Sequence, residues 1–490
     1  MIKFVILGGG SAGWITALFA RKLMPTADVT LIQSKEIGII GVGEATTPHI
    51  VNFLINQDID PLDLIRVTKG TIKNGINFVN WNGDGKSYFH DFYEPIVPFR
   101  IDNFYNSDCD DYFKQLLINQ ELSFNEYLYQ TKLAYGNKID LNNTNYAIHF
   151  DSVAFAEYLE KIGNSRNIKI IDGIYQEPVL DERGFVKSLK LKSGENIECD
   201  FVFDCTGFQK LLIGKLYESK WHSYSDFLPA KKAIPFWLER SEDPKPYTDS
   251  IAMKNGWMWN IPLQHRTGAG YVFDSDYITV DEAKQEVEEY LGKDVDIRKV
   301  ISFDPGRFED TWVKNCLAIG LSSNFLEPLE STSIWLATSQ LTNFKRFVNE
   351  IKDPAPKTQE LYNKITRNEV DSIANFIYFH YLTKRKDSKF WQEFRDKNKT
   401  PDSFKEMLEL ILDSNLRRFN IDDVLTPAVF PMHSYLVVGR GLGLFTKKFN
   451  LTFLDKVSPT PAEFKNIVDD LYHKAPFHKE LLDHLQKGPV

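Results

Sequence analysis

Ile2-Lys-Phe-Val-Ile-Leu-Gly-Gly-Gly-Ser-Ala-Gly-Trp14 begins as a short apolar run and stops abruptly at a cluster of glycines. The run Ile2 to Leu7 has strand character, Trp14 to Leu23 reads as a helix that ends near Pro25, and Asp28-Val-Thr-Leu-Ile-Gln33 reads as a second strand. The order is strand, glycine-rich turn, helix, strand, with Gly8, Gly10 and Gly13 at the three positions of a dinucleotide fingerprint. Each glycine has a physical task. Gly8 permits the tight turn, Gly10 lets a pyrophosphate approach the backbone, and Gly13 allows close packing of helix on strand, so that phosphates rest on the helix N-terminus with Ser11 and Ala12 beside them. An acidic residue usually ends the second strand and holds the ribose hydroxyls. Here that place is Gln33, which can still hydrogen-bond a hydroxyl but without charge assistance.

Outward from this stretch, the composition narrows the class. The chain has 490 residues, 43% hydrophobic and 26% charged, which is ordinary globular composition with the mass of about three domains. Its 58 basic and 67 acidic residues give a net charge of −9 with no dense basic block, so it lacks the electrostatic footprint of a nucleic-acid binder. Cys109, Cys199, Cys205 and Cys316 form no CxxC pair and no zinc spacing, which suits a reducing cytoplasm better than a disulfide framework. Glycines interrupt the apolar N-terminus, no later run reaches the ~20 apolar residues of a membrane span, and the expectation is a protein that binds no membrane. Aromatic residues reach 13%, a large supply of ring surface.

Further along, Gly41-Val-Gly-Glu-Ala-Thr-Thr-Pro48, Gly70-Thr-Ile-Lys-Asn-Gly-Ile-Asn-Phe-Val-Asn-Trp81, Asp204-Cys-Thr-Gly-Phe208, Gly256-Trp-Met-Trp-Asn-Ile-Pro262 and Leu317-Ala-Ile-Gly-Leu-Ser-Ser323 running into Pro328-Leu-Glu-Ser-Thr332 follow in order. Together they resemble the flavin-dependent halogenases of the tryptophan-halogenase type, whose GVGEAT and GWxWxIP marks they reproduce. The likeness extends from residue 2 to about 445. It implies an α/β fold, α+β in part: an FAD-binding, Rossmann-like module of the flavin monooxygenase type, interleaved with a mainly helical substrate module. The expected boundaries are 1–85 with 147–345 for the flavin module and 86–146 with 346–490 for a helical lid.

The resemblance also implies chemistry. Reduced FAD and dioxygen give a flavin hydroperoxide, halide attacks it to form hypohalous acid, and an electron-rich arene is halogenated. Only one dinucleotide fingerprint is visible, so reduced flavin is expected from a separate reductase. Besides Gly8, Gly10, Ser11, Ala12, Gly13 and Gln33, the likeness assigns Gly43, Glu44, Ala45, Thr46, Gly207, Gly320 and Leu321 to the flavin. The pattern Lys-x-Gly-Ile-x-Phe-x-x-Trp marks Lys73, rather than Lys69, as the residue that captures the oxidant. It would act either as a neutral amine forming a haloamine or as an ammonium donating a hydrogen bond. The register Pro-Leu-Glu-Ser-Thr points to Glu330 as the base, in preference to Glu327. Thr332 and Ser333 mark the halide site. The family usually has Gly where this chain has Ser333, and the expectation is that bromide or iodide is taken over chloride. Trp257, Trp259, Ile261 and Pro262 form the wall that keeps organic substrate off the flavin.

The substrate itself is expected to be a small aromatic. Glu94 stands where a His is usual, and Ser434-Tyr435 where a Tyr-Tyr pair is usual, which argues for an indole or phenol without the amino-acid handle. A flavin monooxygenase or a flavin-binding protein without catalysis are the alternatives, and a homo-oligomer is left open. Asp151 reads as the cap of a helix, and the stretches after Pro401 and Pro461 read as helices started by proline. His473, His478 and His484 read as a solvated tail rather than a metal site, and Lys384-Arg-Lys386 as a solvated turn.

Overall fold

The structure is a computed structural model and describes residues 1–38, 44–92, 128–397, 399–412, 429–445 and 461–488. Gly43, Glu94 and Cys109 therefore lie outside the described residues. The chain forms two compact units, one from Met1–Thr68, Phe150–Ser225 and Phe303–Asp371, the other from Lys69–His149, Asp226–Ser302 and Ser372–Val490.

The first unit is built on a six-stranded sheet in the order Trp312–Val313, Cys316–Ala318, Phe201–Asp204, Lys3–Leu7, Asp28–Gln33, Lys169–Asp172. All neighbours are parallel except the edge strand Trp312–Val313. A parallel sheet must be covered on both faces, which is why these strands read as continuous apolar runs. Val5 and Leu7 face a small antiparallel sheet whose Leu189, Leu191 and Ile197 close one side. Phe4, Phe201 and Phe203 face the other side, where Phe201 and Phe203 meet Phe344 of the helix Ser333–Phe344. The helix Ser11–Leu23 packs against the helix Ser152–Ser165, where Gly163 leaves room for the Trp14 ring. Asp151 caps the second of these, accepting from the N–H groups of Val153 and Ala154 at 3.0 and 3.1 Å.

Strand order reverses at Lys3–Leu7, with Asp28–Gln33 on one side and Phe201–Asp204 on the other. In open α/β sheets, ligands bind beyond the carboxyl ends of the strands at such a switch point. The ends are level, since Leu7 pairs with Asp204 and Asp204 with Ala318. The ladder then runs one rung further: Gly8 N–H donates to Ile32 O, Cys205 N–H to Leu7 O and Ile319 N–H to Asp204 O.

The second unit contains a seven-stranded sheet in the order Ile301–Ser302, Lys232–Leu238, Thr267–Phe273, Gly256–Pro262, Thr248–Ala252, Gly75–Val79, Ser87–Asp91. Only Thr248–Ala252 and Gly75–Val79 run parallel. Met258, Tyr271, Phe273 and Ile234 pack under the helix Val280–Leu291, which a capping box of Thr279 and Glu282 begins. Helices Lys389–Lys397, Asp402–Leu412, Met432–Gly441, Pro461–Lys474 and His478–Leu485 belong to this unit. Among the described residues no helix is long and apolar enough to cross a membrane.

Three features differ from the sequence reading. Segments 69–85 and 226–302 are grouped there with the flavin module, whereas backbone pairing joins them to Ser87–Asp91 in one sheet of the second unit. That unit is accordingly not mainly helical. Arg385 is not on a solvated turn: it is 4% exposed, its guanidinium donates to the carbonyls of Asn80 and Ala252, and it pairs with Asp387.

A Cβ at Gly13 would lie 1.9 Å from the carbonyl oxygen of Gly8. Gly13→Ala should therefore destabilise the protein by about 1–3 kcal/mol through overpacking, read as a lowered midpoint in thermal or urea unfolding.

Candidate active site

The first unit brings most of the predicted flavin residues to one crevice. Gly8 has φ +121°, and a Cβ there would lie 2.2 Å from Cys205 O, so the turn is open only to glycine. Gly10 differs. Its φ is −78°, and among the described residues no atom lies within 4 Å of where its Cβ would be. Among the described residues nothing demands glycine at that position, which is where a phosphate would approach. The helix Ser11–Leu23 begins at Gly10 with no side-chain cap and no acidic residue in its first turn. Its first N–H groups, at Ser11, Ala12 and Gly13, have no intrahelical acceptor, and the helix dipole adds positive charge there. These features fit the pyrophosphate of a dinucleotide.

Two further turns reach the same place. Asp204 is fully buried and organises the second: Oδ1 accepts from Thr206 N–H and its hydroxyl, and Oδ2 from Leu212 and Ile213 N–H. That leaves Gly207 at φ +61°, with no atom of the described residues within 4 Å of where its Cβ would be. The third turn, Gly320–Ser322, carries Gly320 and Leu321. A Cβ on Gly320 would lie 2.9 Å from Cβ of Ala12, and Gln340 holds Gly320 by accepting its N–H at 3.1 Å. The sequence reading missed two residues here. Gly9 is one, since a Cβ on it would lie 2.4 Å from Cβ of Gln33; Gln340 is the other. Gln33 ends its strand as expected, and its amide donates to Glu160 at 3.4 Å.

Glu44 and Ala45 form a short strand that leads to the buried Thr46. The Ser11 hydroxyl donates to Glu44 at 3.3 Å. Burial pushes the Glu44 carboxyl up to about 7, against the lowering effect of that bond, and the charge of Asp151 adds to the rise. A carboxyl that is only partly ionised near neutral pH repels a phosphate beside this helix N-terminus less than a fully ionised one would.

Glu330, Thr332 and Ser333 also belong to the first unit. Glu330 is 2% exposed. Ser331 adopts the left-handed conformation at φ 59°, ψ 35°, and Thr332 returns to the right-handed one at φ −89°, ψ −8°. That succession makes a nest of N–H groups, and it runs into the first turn of the helix Ser333–Phe344, which has neither side-chain cap nor acidic residue. The arrangement suits a small anion. The same helix is tied to the crevice through Gln340, and its Trp335 meets the ring of His49 edge-on at 5.6 Å.

The second unit holds Lys73 and the tryptophan strand. Lys73 lies on the strand Thr71–Lys73 and is completely buried, with Nζ 5.3 Å from the centre of the Phe92 ring. The strand pairs with Ala147–Phe150, with Lys73 opposite Ala147. The neighbouring Thr71 hydroxyl donates to Pro262 O at 2.7 Å, so its oxygen accepts from Nδ1–H of His149 at 2.8 Å. Nε2 of His149 then accepts from the Thr248 hydroxyl at 2.8 Å. Burial holds the pKa of His149 well below the usual value, and the positive charge of Lys73 adds to the lowering, so the imidazole is neutral and Nε2 is the acceptor. The strand Gly256–Pro262 carries Trp257, Trp259 and Ile261 on one face by strand alternation, with Met258 turned to the opposite core. The two indole rings lie 6.2 Å apart, and a Cβ on cross-strand Gly270 would lie 2.2 Å from the Trp259 ring.

His478 is a correction. It is fully buried in this unit rather than solvated: its Nε2 accepts from Ile72 N–H at 3.1 Å and its Nδ1–H donates to Pro244 O at 2.9 Å. Neither His149 nor His478 carries a local sequence signal, because their partners are distant in the chain. Among the described residues no group of His, Cys, Asp or Glu could hold a metal ion.

The raised pKa of Glu44 gives a signed pH dependence. Below about pH 4.5 the carboxyl is protonated folded and unfolded, and it costs nothing; as pH rises toward about 7 the folded state resists ionisation and loses relative stability. Glu44→Gln should match the natural protein near pH 4 and exceed it above pH 7 by up to about 3 kcal/mol, read from urea unfolding across pH.

Comparison with known proteins agrees with this geometry. The family description "Tryptophan halogenase" matches residues 3–457. A tryptophan 6-halogenase of Streptomyces toxytricini is 32% identical over 483 residues, covering 90% of this chain and 89% of the relative. A tryptophan 7-halogenase of Lentzea aerocolonigenes is 31% identical over 420 residues, covering 80% and 78%. Among solved structures, a flavin-dependent halogenase from Xanthomonas campestris superposes with a TM-score of 0.90 at 30% identity, covering 100% of this chain and 99% of the other. One from Brevundimonas sp. BAL3 gives 0.85 at 29% identity, covering 99% of each. An uncapped helix start beyond a parallel sheet, an anion nest, a buried lysine and a strand of tryptophans are thus joined by sequence and fold to one set of enzymes, and the chain belongs to the tryptophan-halogenase family of flavin-dependent halogenases.

Proposed function

We propose that this enzyme halogenates an electron-rich indole or phenol that lacks a free amino-acid group, with FADH2 delivered by a separate flavin reductase. The carrying observation is Lys73, a completely buried lysine whose strand is bonded, through the Thr71 hydroxyl, to Pro262 at the end of the tryptophan strand. The first unit, with its phosphate-ready helix start at Gly10, would hold the FAD through Gly8, Gly10, Ser11, Ala12, Gly13, Gln33, Glu44, Ala45, Thr46, Gly207, Gly320 and Leu321. Reduced FAD, when bound, supplies the two electrons by which dioxygen converts halide to hypohalous acid.

The protein's own residues then contain and direct that oxidant. The N–H groups of Thr332 and Ser333 hold the halide. The Ser333 side chain, in place of glycine, favours bromide or iodide over chloride. Lys73 acts as an ammonium, a form favoured by the face of the Phe92 ring, and donates a hydrogen bond to the oxygen of hypohalous acid. The arene carbon takes the halogen, the oxygen leaves as water with a proton from Lys73, and Glu330 accepts the ring proton. That proton returns to Lys73 by way of solvent, so one arene and one hypohalous acid give one haloarene and one water. Trp257, Trp259, Ile261 and Pro262 are the barrier between the organic substrate and the cofactor.

Ser434 supports a substrate without an amino-acid handle. Its hydroxyl is engaged with Nε2 of the buried His90 at 2.8 Å, and the adjacent His433 is paired with Asp91 at 2.9 Å. Polar groups already paired to each other are poor receptors for a carboxylate and an ammonium. A cytoplasmic location accords with the buried free thiols of Cys199, Cys205 and Cys316.

The test combines the enzyme with a flavin reductase, FAD, and chloride, bromide or iodide in parallel, over a panel of indoles, phenols and free tryptophan, with products read by mass spectrometry. Halogenated indole or phenol is expected, with bromide or iodide ahead of chloride; oxygenated products without halogen would sink the reading. Lys73→Ala should lower halogenation about 10²–10⁴-fold while dioxygen still oxidises the flavin.

A further inference from the structure

The strand that carries Lys73 is finished on its second edge by an imidazole. Gly75–Val79 runs parallel to Thr248–Ala252, with Ile76 beside Thr248 and Asn77 beside Asp249. Carried back along the chain in the same register, the ladder places Asn74 beside Pro246 and Ile72 beside Pro244. The first of these rungs is an ordinary one, with Asn74 N–H donating to Pro246 O at 2.7 Å. The second is not. Ile72 N–H donates to Nε2 of His478, and Nδ1–H of the same ring donates to Pro244 O. The ring is spliced between two backbones where a direct hydrogen bond would otherwise run.

Everything about His478 suits this task. Its two nitrogens are each spent in one direction, one as acceptor and one as donor, so only the neutral Nδ1–H form serves both bonds. Burial accordingly lowers its pKa to about 4, although the Pro244 bond and the charge of Asp243 pull the other way. Its own backbone is anchored as well: His478 N–H donates to Asn137 O, Ile139 N–H donates to Pro476 O, and Phe477 bridges Lys138. The ring therefore sits at a fixed place relative to the Asn137–Ile139 segment.

We infer that His478 is a positioning residue for Lys73, pinning its strand at Ile72 so that, with the Asn74 rung and the pairing to Ala147, the lysine is held on both sides. The inference rests on the assignment of Lys73 as the residue that holds the oxidant. Loss of the rung leaves a buried N–H of Ile72 without an acceptor and frees the strand one residue from the lysine. A lysine displaced by even ~1 Å presents the oxidant poorly to the arene, and the oxidant escapes.

The test uses the full-length protein with three substitutions. His478→Gln retains an amide that can accept and donate at about the reach of the ring, His478→Asn is one methylene shorter, and His478→Ala removes the bridge. Two quantities are read: amide hydrogen exchange at Ile72 in the cofactor-free protein, and halogenated product formed per reduced flavin consumed, with lost oxidant recovered by a soluble, non-aromatic thioether trap. In Ala and Asn, exchange at Ile72 should quicken about ten-fold or more and product per flavin should fall about ten-fold, with Gln restoring both to within about two-fold. If the Ala protein does not fold, the contrast between Asn and Gln decides alone. Product per flavin within two-fold of the natural protein in Asn, or a Gln protein that protects Ile72 yet stays uncoupled, overturns the inference. Lys73→Ala, run alongside, separates the two readings. Normal coupling in that protein overturns the lysine assignment and this inference with it; lost coupling there with normal coupling in both Ala and Asn at 478 overturns the inference alone.

Discussion

The flavin unit depends on a backbone crossing that leaves no room for a side chain. Gly8 comes so close to the carbonyl of Cys205, and Gly13 so close to the carbonyl of Gly8, that a carbon on either would overlap backbone. This closeness brings the helix Ser11–Leu23 down onto the level ends of Lys3–Leu7 and Phe201–Asp204. Once the helix start is fixed there, Gly320 is drawn against Ala12, and the helix Ser333–Phe344 follows through Gln340. The anion nest at Thr332 is thus linked to the dinucleotide turn by packing and one hydrogen bond, although more than 300 residues separate the two in sequence.

The second unit is organised around a different problem, that of holding charged and polar groups in a dry interior. Lys73, His149 and His478 are all completely buried. Two neutral rings, each with both nitrogens bonded, hold the backbone and side chains of the strand that carries the lysine. The tryptophan strand enters the same network through Pro262 and Thr71. The lysine strand and the tryptophan strand are therefore parts of one hydrogen-bonded body.

Much of the first unit could be read from local pattern. The glycine spacing identified the turn, and the apolar runs identified a sheet covered on both faces. Asp151 was recognisable as a cap because a cap is decided within a few residues. Gly9 and Gln340 were not recognisable, because what makes them necessary is a side chain or a carbonyl from elsewhere. The seven-stranded sheet defeated boundary placement for the same reason. Its strands come from segments near 75, 90, 235, 250, 260, 270 and 301, and strand alternation says that a segment pairs without saying with which.

Charged and titratable residues mark the limit most sharply. His478 and Arg385 look solvated in sequence, since each sits among lysines, and both are buried because distant backbone groups of the second unit take their hydrogen bonds. By itself the sequence determined the glycine turn and the family, because those are carried by residue type at short, fixed spacing. Only the tertiary structure decided that no described residue crowds Gly10, that His149 is neutral, and that His478 completes the ladder beside Lys73. These depend on which atoms meet across long stretches of chain, and burial then sets their protonation.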